Sequence, residues 1–223
     1  MESSVKKFNL GHHIDTTNFF FYNNLMRKIL AIIILNICLT FPSQADDIRD
    51  FQIEGMSLGD SVLDFITEKS FLSTRLLNDF KNKEYSAREY GNDEISNLPI
   101  KRLKVYDSLQ INYITNDKQY KIYGLSGLIR FKDNHQECMS KQKEILEELK
   151  VLFPQSKKLG PKKINFQKKL TKGYQEGHAY RLPNGDLVII TCYNYEKKHM
   201  IDHLRISIRF KAYNDFLLNR AYK

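Results

Sequence analysis

The chain has no tryptophan, three cysteines and no apolar run long enough to cross a membrane. A bilayer span needs roughly 20 apolar residues. The longest stretch here, residues 29–41, has 13, broken by Asn36 and Thr40, which speaks against a permanent anchor. There is no P-loop and no dinucleotide fingerprint, so the two most readable phosphate-cradling signatures are missing. A nucleophile elbow is missing too. Gly124-Leu125-Ser126-Gly127-Leu128 places Leu128 where G-x-S-x-G needs its second glycine, and a serine between glycines in a strand reads as a bulge or bend.

What is present begins at Met26. Arg27 and Lys28 precede the 13-residue apolar core, Pro42 ends it, and Ser43-Gln44-Ala45 places small residues before Asp46-Asp47. This is the layout of a secretory signal peptide. The positive end stays on the cytosolic side, the apolar helix enters the translocase, and small residues fit the peptidase. The expectation is therefore a signal peptide over 26–45 and a periplasmic or secreted mature chain of 46–223. Cys38 after Ile37 fits lipoprotein processing poorly. Residues 1–25 have no helical or strand period and read as an over-extended start, and His12-His13 is not taken as a metal site.

The mature part carries 31 Lys and Arg against 24 Asp and Glu. Its branched aliphatic and aromatic residues suffice for a core. The basic balance suggests anionic partners such as lipid head groups or acidic surface polymers; nucleic acid is the usual reading of a basic domain, but export argues against it. Once Cys38 leaves, Cys138 and Cys192 remain. An even count in an oxidising compartment predicts one disulfide.

Along the mature chain, residues 51–54 read as a short strand. A glycine-containing turn leads to helices near 60–67 and 70–81, since Val62, Leu63, Phe65, Ile66, Phe71, Leu72, Leu76, Leu77 and Phe80 recur at helical spacing. Residues 82–99 are polar and read as a loop. Strands are expected at 100–106, 109–115 and 120–131. Asn134 with Glu137 resembles a capping box and opens an amphipathic helix that ends before Pro154. A lysine-edged strand, a hairpin around Pro183-Asn184-Gly185, a strand at 203–212 and a short closing helix follow. Strands succeeding strands through short turns predict an α+β domain: a mostly antiparallel sheet, one long amphipathic helix packed on it, and a helix pair near the mature N-terminus. One domain over 46–223 is the default, with a subdivision near 95–120 left open. Packing the 135–152 helix on strand 187–195 would bring Cys138 to Cys192.

Few residues carry chemistry. His135, Cys138, Cys192, His199 and His203 allow a zinc set on paper, but a disulfide and surface histidines account for them better, so no metal or other cofactor is expected. Glu144, Glu147, Glu148, Asp60 and Asp64 read as solvated charges. Residues 150–175 hold eight lysines and no acid. Of these, Lys157, Lys158, Lys162, Lys163, Lys168, Lys169 and Lys172 are candidates for contact with an anionic surface if they share a face; the alternative is an edge strand protected from aggregation by its lysines. Tyr174, Tyr180, Tyr193 and Tyr195 read as half-buried packing, with a ligand groove as the alternative.

The segments F-Q-I-E-G-M-S-L-G-D-S at 51–61, Y-G-L-S-G-L-I-R-F at 123–131, C-M-S-K-Q-K-E-I at 138–145 and I-T-C-Y at 190–193 resemble small exported proteins of low-GC marine alphaproteobacteria. That resemblance implies a periplasmic address and a paired cysteine, and no activity. Residues 55–66 are loosely similar to the helix entry of BamE-type outer-membrane assembly lipoproteins, but the chain lacks their lipobox and the Gly-x-Pro after the first helix. The functional expectation is a non-enzymatic periplasmic binding or envelope-associated protein, with anionic lipid, an envelope surface or another envelope protein as partner. The alternative is a small secreted hydrolase.

Overall fold

A computed structural model describes residues 47–77, 80–91, 103–132, 134–168, 171–196 and 201–223. The expected leader and the stretch before it lie outside the described residues. The described part belongs to one compact unit, Gln44–Lys223.

Eight strands form the frame: β1 Arg75–Leu77, β2 Tyr85–Gly91, β3 Ser108–Ile114, β4 Gly124–Arg130, β5 Lys157–Lys168, β6 Thr171–Arg181, β7 Leu187–Tyr195 and β8 His203–Arg209. They make one sheet in the order β1-β2-β3-β4-β8-β7-β6-β5, every pair antiparallel. Two four-stranded meanders thus meet where β4 pairs with β8. Local turn chemistry sets the registers. Between β6 and β7, Gly185 takes φ +92°, a left-handed conformation that costs glycine little, and the Leu182 N–H donates to the Asp186 carbonyl. The architecture is α+β with an antiparallel sheet.

The helices are α1 Glu68–Ser73, α2 His135–Leu152 and α3 Lys211–Asn219, with 3₁₀ turns at Ile48–Asp50 and Val62–Asp64. Asn134 caps α2 by accepting from the Glu137 N–H, and its amide donates back to the Glu137 carboxylate. Cys138, Gln142, Ile145, Leu146 and Leu149 are buried, a stripe at helical spacing that lies on β7 and β8. Gln142 is the polar member of this stripe. Its amide donates to the Glu176 and Ile190 carbonyls, so it is not left unsatisfied. The helix stops at Phe153, since a residue before proline avoids the helical region.

On the same face of the sheet, the segment before α1 buries Ile48, Ile53, Leu58 and Val62. Phe71 from α1 packs edge-on against Tyr113 and Tyr120. Burying each large apolar side chain contributes about 1.5–3 kcal/mol. On the opposite face, α3 lays Tyr213 and Phe216 against Phe80, Tyr85 and Ala87, and the Tyr213 hydroxyl donates to Asn112 Oδ1 at 2.7 Å.

Five local expectations are corrected. The helix expected near 60–67 is only the 3₁₀ turn Val62–Asp64, closed where the Phe65 N–H donates to the Val62 carbonyl, so α1 stands without the paired helix expected before it. Residues 51–54 make no strand; Ile53 forms a single bridge to Met56 across a turn with Glu54 at φ 55° and Gly55 at φ 82°. The helix expected over 70–81 is confined to Glu68–Ser73, because the Thr74 hydroxyl donates to the Phe71 carbonyl and closes it. Residues 75–77 then join the sheet as β1. The polar stretch read as a loop contains β2, and residues 103–106, the described part of the strand expected at 100–106, are irregular.

Candidate functional site

In β8 the side chains alternate. Leu204, Ile206 and Ile208 are buried in the core beneath α2, so His203, Arg205, Ser207 and Arg209 face the other way. The registers extend this face across the sheet in rows. Arg130, His203, Tyr193, Gln175 and Ile164 form one row; Leu128, Arg205, Thr191, Gly177 and Lys162 the next; Ser126, Ser207, Ile189, Ala179 and Leu159 a third; and Gly124, Arg209, Leu187, Arg181 and Lys157 a fourth. These four rows contain six cations (Arg130, Lys157, Lys162, Arg181, Arg205 and Arg209) and no Asp or Glu. The packing of α3 documented above involves β2, β3 and the start of β4. At the end of β8, Arg209 lies close to Tyr213 of α3 and to Tyr222, so that corner of the face is covered by the C-terminal segment.

The centre of the face is built of interlocked rings and cations. His203 stacks on Tyr193, its cross-strand partner, with centroids 4.5 Å apart and planes 14° from parallel. Tyr195 stacks on both rings, and Phe166 touches Tyr195. The Arg205 guanidinium lies 5.4 Å from the Tyr193 centroid. Between the long side chains sit small hydroxyls. Ser126 and Ser207 share a hydrogen bond of 2.8 Å, and Thr191 is buried beside them.

Two polar atoms here are buried without a hydrogen bond among the described residues: Nε2 of His203 and Nε of Arg205. The His203 Nδ1 lies 3.1 Å from the Ile201 carbonyl. A carbonyl can only accept, so Nδ1 carries the proton and Nε2 presents a bare lone pair. Burial, with Arg205 and Arg130 adding repulsion, pushes the His203 imidazole down to about 4, so the ring is neutral at pH 7. Burial also lowers the Arg209 guanidinium. Neither Arg205 nor Arg209 has an ion pair among the described residues, and the buried, unsatisfied Nε of Arg205 calls for an explanation. Beside Arg205, Leu159, Ile164, Ala179 and Ile189 line an apolar trough of about 270 Å³ with Gly177 and Thr191 in its wall.

The lysines do not share one face. Lys157 and Lys162 project with Arg205, whereas Lys158 and Lys163 pair across from Tyr180 and Glu176 on the α2 side. Lys163 Nζ sits 3.9 Å from the Tyr174 ring centroid. Lys172 forms an ion pair with Glu196, Lys168 ends β5 opposite Thr171, and Lys169 lies outside the described residues. The tyrosines divide likewise. The Tyr180 hydroxyl donates to the Leu146 carbonyl under α2, while Tyr193 and Tyr195 belong to the cationic face. Arg205 and Arg209 appear in the sequence only as the polar side of an alternating strand, and nothing local marks them as a site.

The remaining candidates resolve structurally. Cys138 and Cys192 are joined in a disulfide with Cα atoms 6.0 Å apart, so neither thiolate is available to zinc. The Ser126 hydroxyl is buried against Ser207. Its flanking glycines serve ring packing: a Cβ on Gly124 would lie 2.6 Å from the Tyr213 ring, and one on Gly127 2.3 Å from the Tyr106 ring. A second cavity of about 330 Å³ lies on the other side of the sheet, between α1 and β2. Two of its charged groups, Arg88 and Glu54, are already engaged. Arg88 donates to the Leu72 and Thr74 carbonyls, and Glu54 accepts from the Lys104, Val105 and Tyr106 N–H groups. Comparison with family models, with curated proteins and with solved structures finds no match for this chain.

Proposed function

We propose that the chain is an exported, non-enzymatic, envelope-associated protein that binds anionic surfaces through the cationic face of β4, β8, β7, β6 and β5. The observation that carries this reading is the six-to-none imbalance of cations over carboxylates in the four rows centred on Arg205. A solvated face of ordinary composition mixes both signs. A sheet face of one sign raises the local concentration of counter-charged partners, and each cation near an anionic membrane contributes up to roughly 1 kcal/mol. Export supports the same reading: in this proposal residues 26–45 are removed on translocation, and the disulfide forms in the compartment that follows.

The test is co-sedimentation with vesicles of phosphatidylglycerol in phosphatidylcholine, with pure phosphatidylcholine as control. The protein is expected to sediment with the anionic vesicles at low salt and to be released at high salt, where the Debye length falls to about 3 Å at 1 M. No binding at low salt overturns the proposal.

A further inference from the structure

The geometry points to a discrete amphiphile site within this face: an oxyanion head group seated at Arg205 and Arg209, with its apolar body in the trough over Gly177 and Ala179. The inference rests on the surface-binding reading and names its ligand chemistry.

Three observations converge. The first is unmet bonding capacity. Arg205 Nε is buried without a hydrogen bond, and neither Arg205 nor Arg209 is neutralised by a carboxylate among the described residues. Guanidinium groups recognise planar carboxylates and phosphates by paired N–H donors, and an oxyanion would supply an acceptor for Arg205 and a counter-charge for both. The second is the floor. Ser207 lies between Arg205 and Arg209 on the strand, with Ser126 beside it in the pairing register, so small hydroxyls rather than bulky side chains separate the two cations. The third is the neighbouring trough. Thr191 is the cross-strand partner of Arg205, and Gly177 that of Thr191. The apolar cavity therefore opens about 10 Å, two strand spacings, from the Arg205 backbone. A head and a tail at that separation describe one molecule with an anionic end and a hydrocarbon end.

The ring packing argues against a stacking ligand such as a nucleobase. Tyr193 already has His203 on its plane and Arg205 over its face, so the rings are occupied by one another.

Dodecyl phosphate, below its critical micelle concentration, tests head and tail together; inorganic phosphate tests the head alone. Binding is read by calorimetry and by the His203 ring signals in NMR, on the protein as recovered from expressing cells. Arg205→Gln is expected to weaken both probes roughly tenfold or more. Ala179→Phe fills the trough and is expected to weaken dodecyl phosphate alone. Unchanged dispersion of the spectrum verifies that each variant is folded, and Arg205→Lys, which keeps the charge but not the fork, is expected to recover only part of the affinity. If Arg205→Gln binds dodecyl phosphate as the parent does, the site is wrong, even where vesicles still sediment through other cations. If dodecyl phosphate binds and depends on both residues while vesicles do not sediment, the site stands for a soluble amphiphile and the surface-binding reading falls.

Discussion

Cys138 of α2 and Cys192 of β7 are bonded across the helix–sheet interface, 54 residues apart in sequence and both fully buried. The bond closes a loop that contains β5 and β6, so it ties the outer meander to the core. Removing loop-closure entropy of this size from the unfolded chain is worth about 4 kcal/mol in the chain-entropy model. The double substitution C138A/C192A is therefore expected to lower the urea unfolding free energy by up to about that amount. Reductant should lower the parent to the same level and leave the double variant unchanged. Equal stability of parent and double variant would contradict the staple.

His203 makes folding sensitive to mild acid. Its folded value of about 4 lies below the ordinary 6.5, so the unfolded chain binds the proton more readily. Stability is full above about 6.5, is lost as the pH falls towards 4, and changes no further below it. A shift of this size corresponds to about 3 kcal/mol at most. His178, also lowered by burial and by Lys158, adds to the same window. Glu54 and Asp47, whose folded values are depressed, act lower, as the pH passes below the ordinary carboxylate range. Urea midpoints measured between pH 4.5 and 7 should rise with pH for the parent. They should rise much less for His203→Gln, with only the His178 contribution left. A slope as steep in the variant as in the parent would remove His203 from this role.

The sequence made some of this legible and hid the rest for physical reasons. Helix α2 is readable because its cap, its apolar stripe and Pro154 all act within a few residues. The β6–β7 hairpin is readable because Asn184-Gly185 carries its own conformational preference. Strand β2 is not: Ser86, Arg88 and Glu89 look like loop residues, and only the fold shows that Arg88 is satisfied by the Leu72 and Thr74 carbonyls and the Tyr113 hydroxyl. The spacing of Phe71, Leu76 and Phe80 suits a helix, yet pairing of Leu76 with Arg88 draws the chain into the sheet. The cationic face was the least visible feature. Arg130 and His203 are neighbours only because β4 pairs with β8, a contact between strands more than 70 residues apart. The lysine run, conspicuous in sequence, is divided between two faces by strand alternation and by the register shift between Leu159 and Lys162.

Gly127 and Tyr106 provide the sharpest test of packing. A Cβ on Gly127 would fall 2.3 Å from the Tyr106 ring, far inside contact distance. The backbone that carries Tyr106 is anchored, because its own N–H donates to Glu54 at 3.0 Å and the neighbouring Val105 N–H does so at 2.7 Å, so relief by a main-chain shift is costly. Burial also pushes its phenol up to about 12, so the ring stays neutral over the working range. Gly127→Ala is thus expected to cost about 1–3 kcal/mol through overpacking. In a Tyr106→Ala background the clash is gone, and alanine in a strand is better than glycine by roughly 0.5–1 kcal/mol, so the same change should become neutral or stabilising. Unfolding free energies of the four proteins in the cycle give the coupling directly. An equal cost of Gly127→Ala in both backgrounds would show that the glycine is required by something other than the Tyr106 ring.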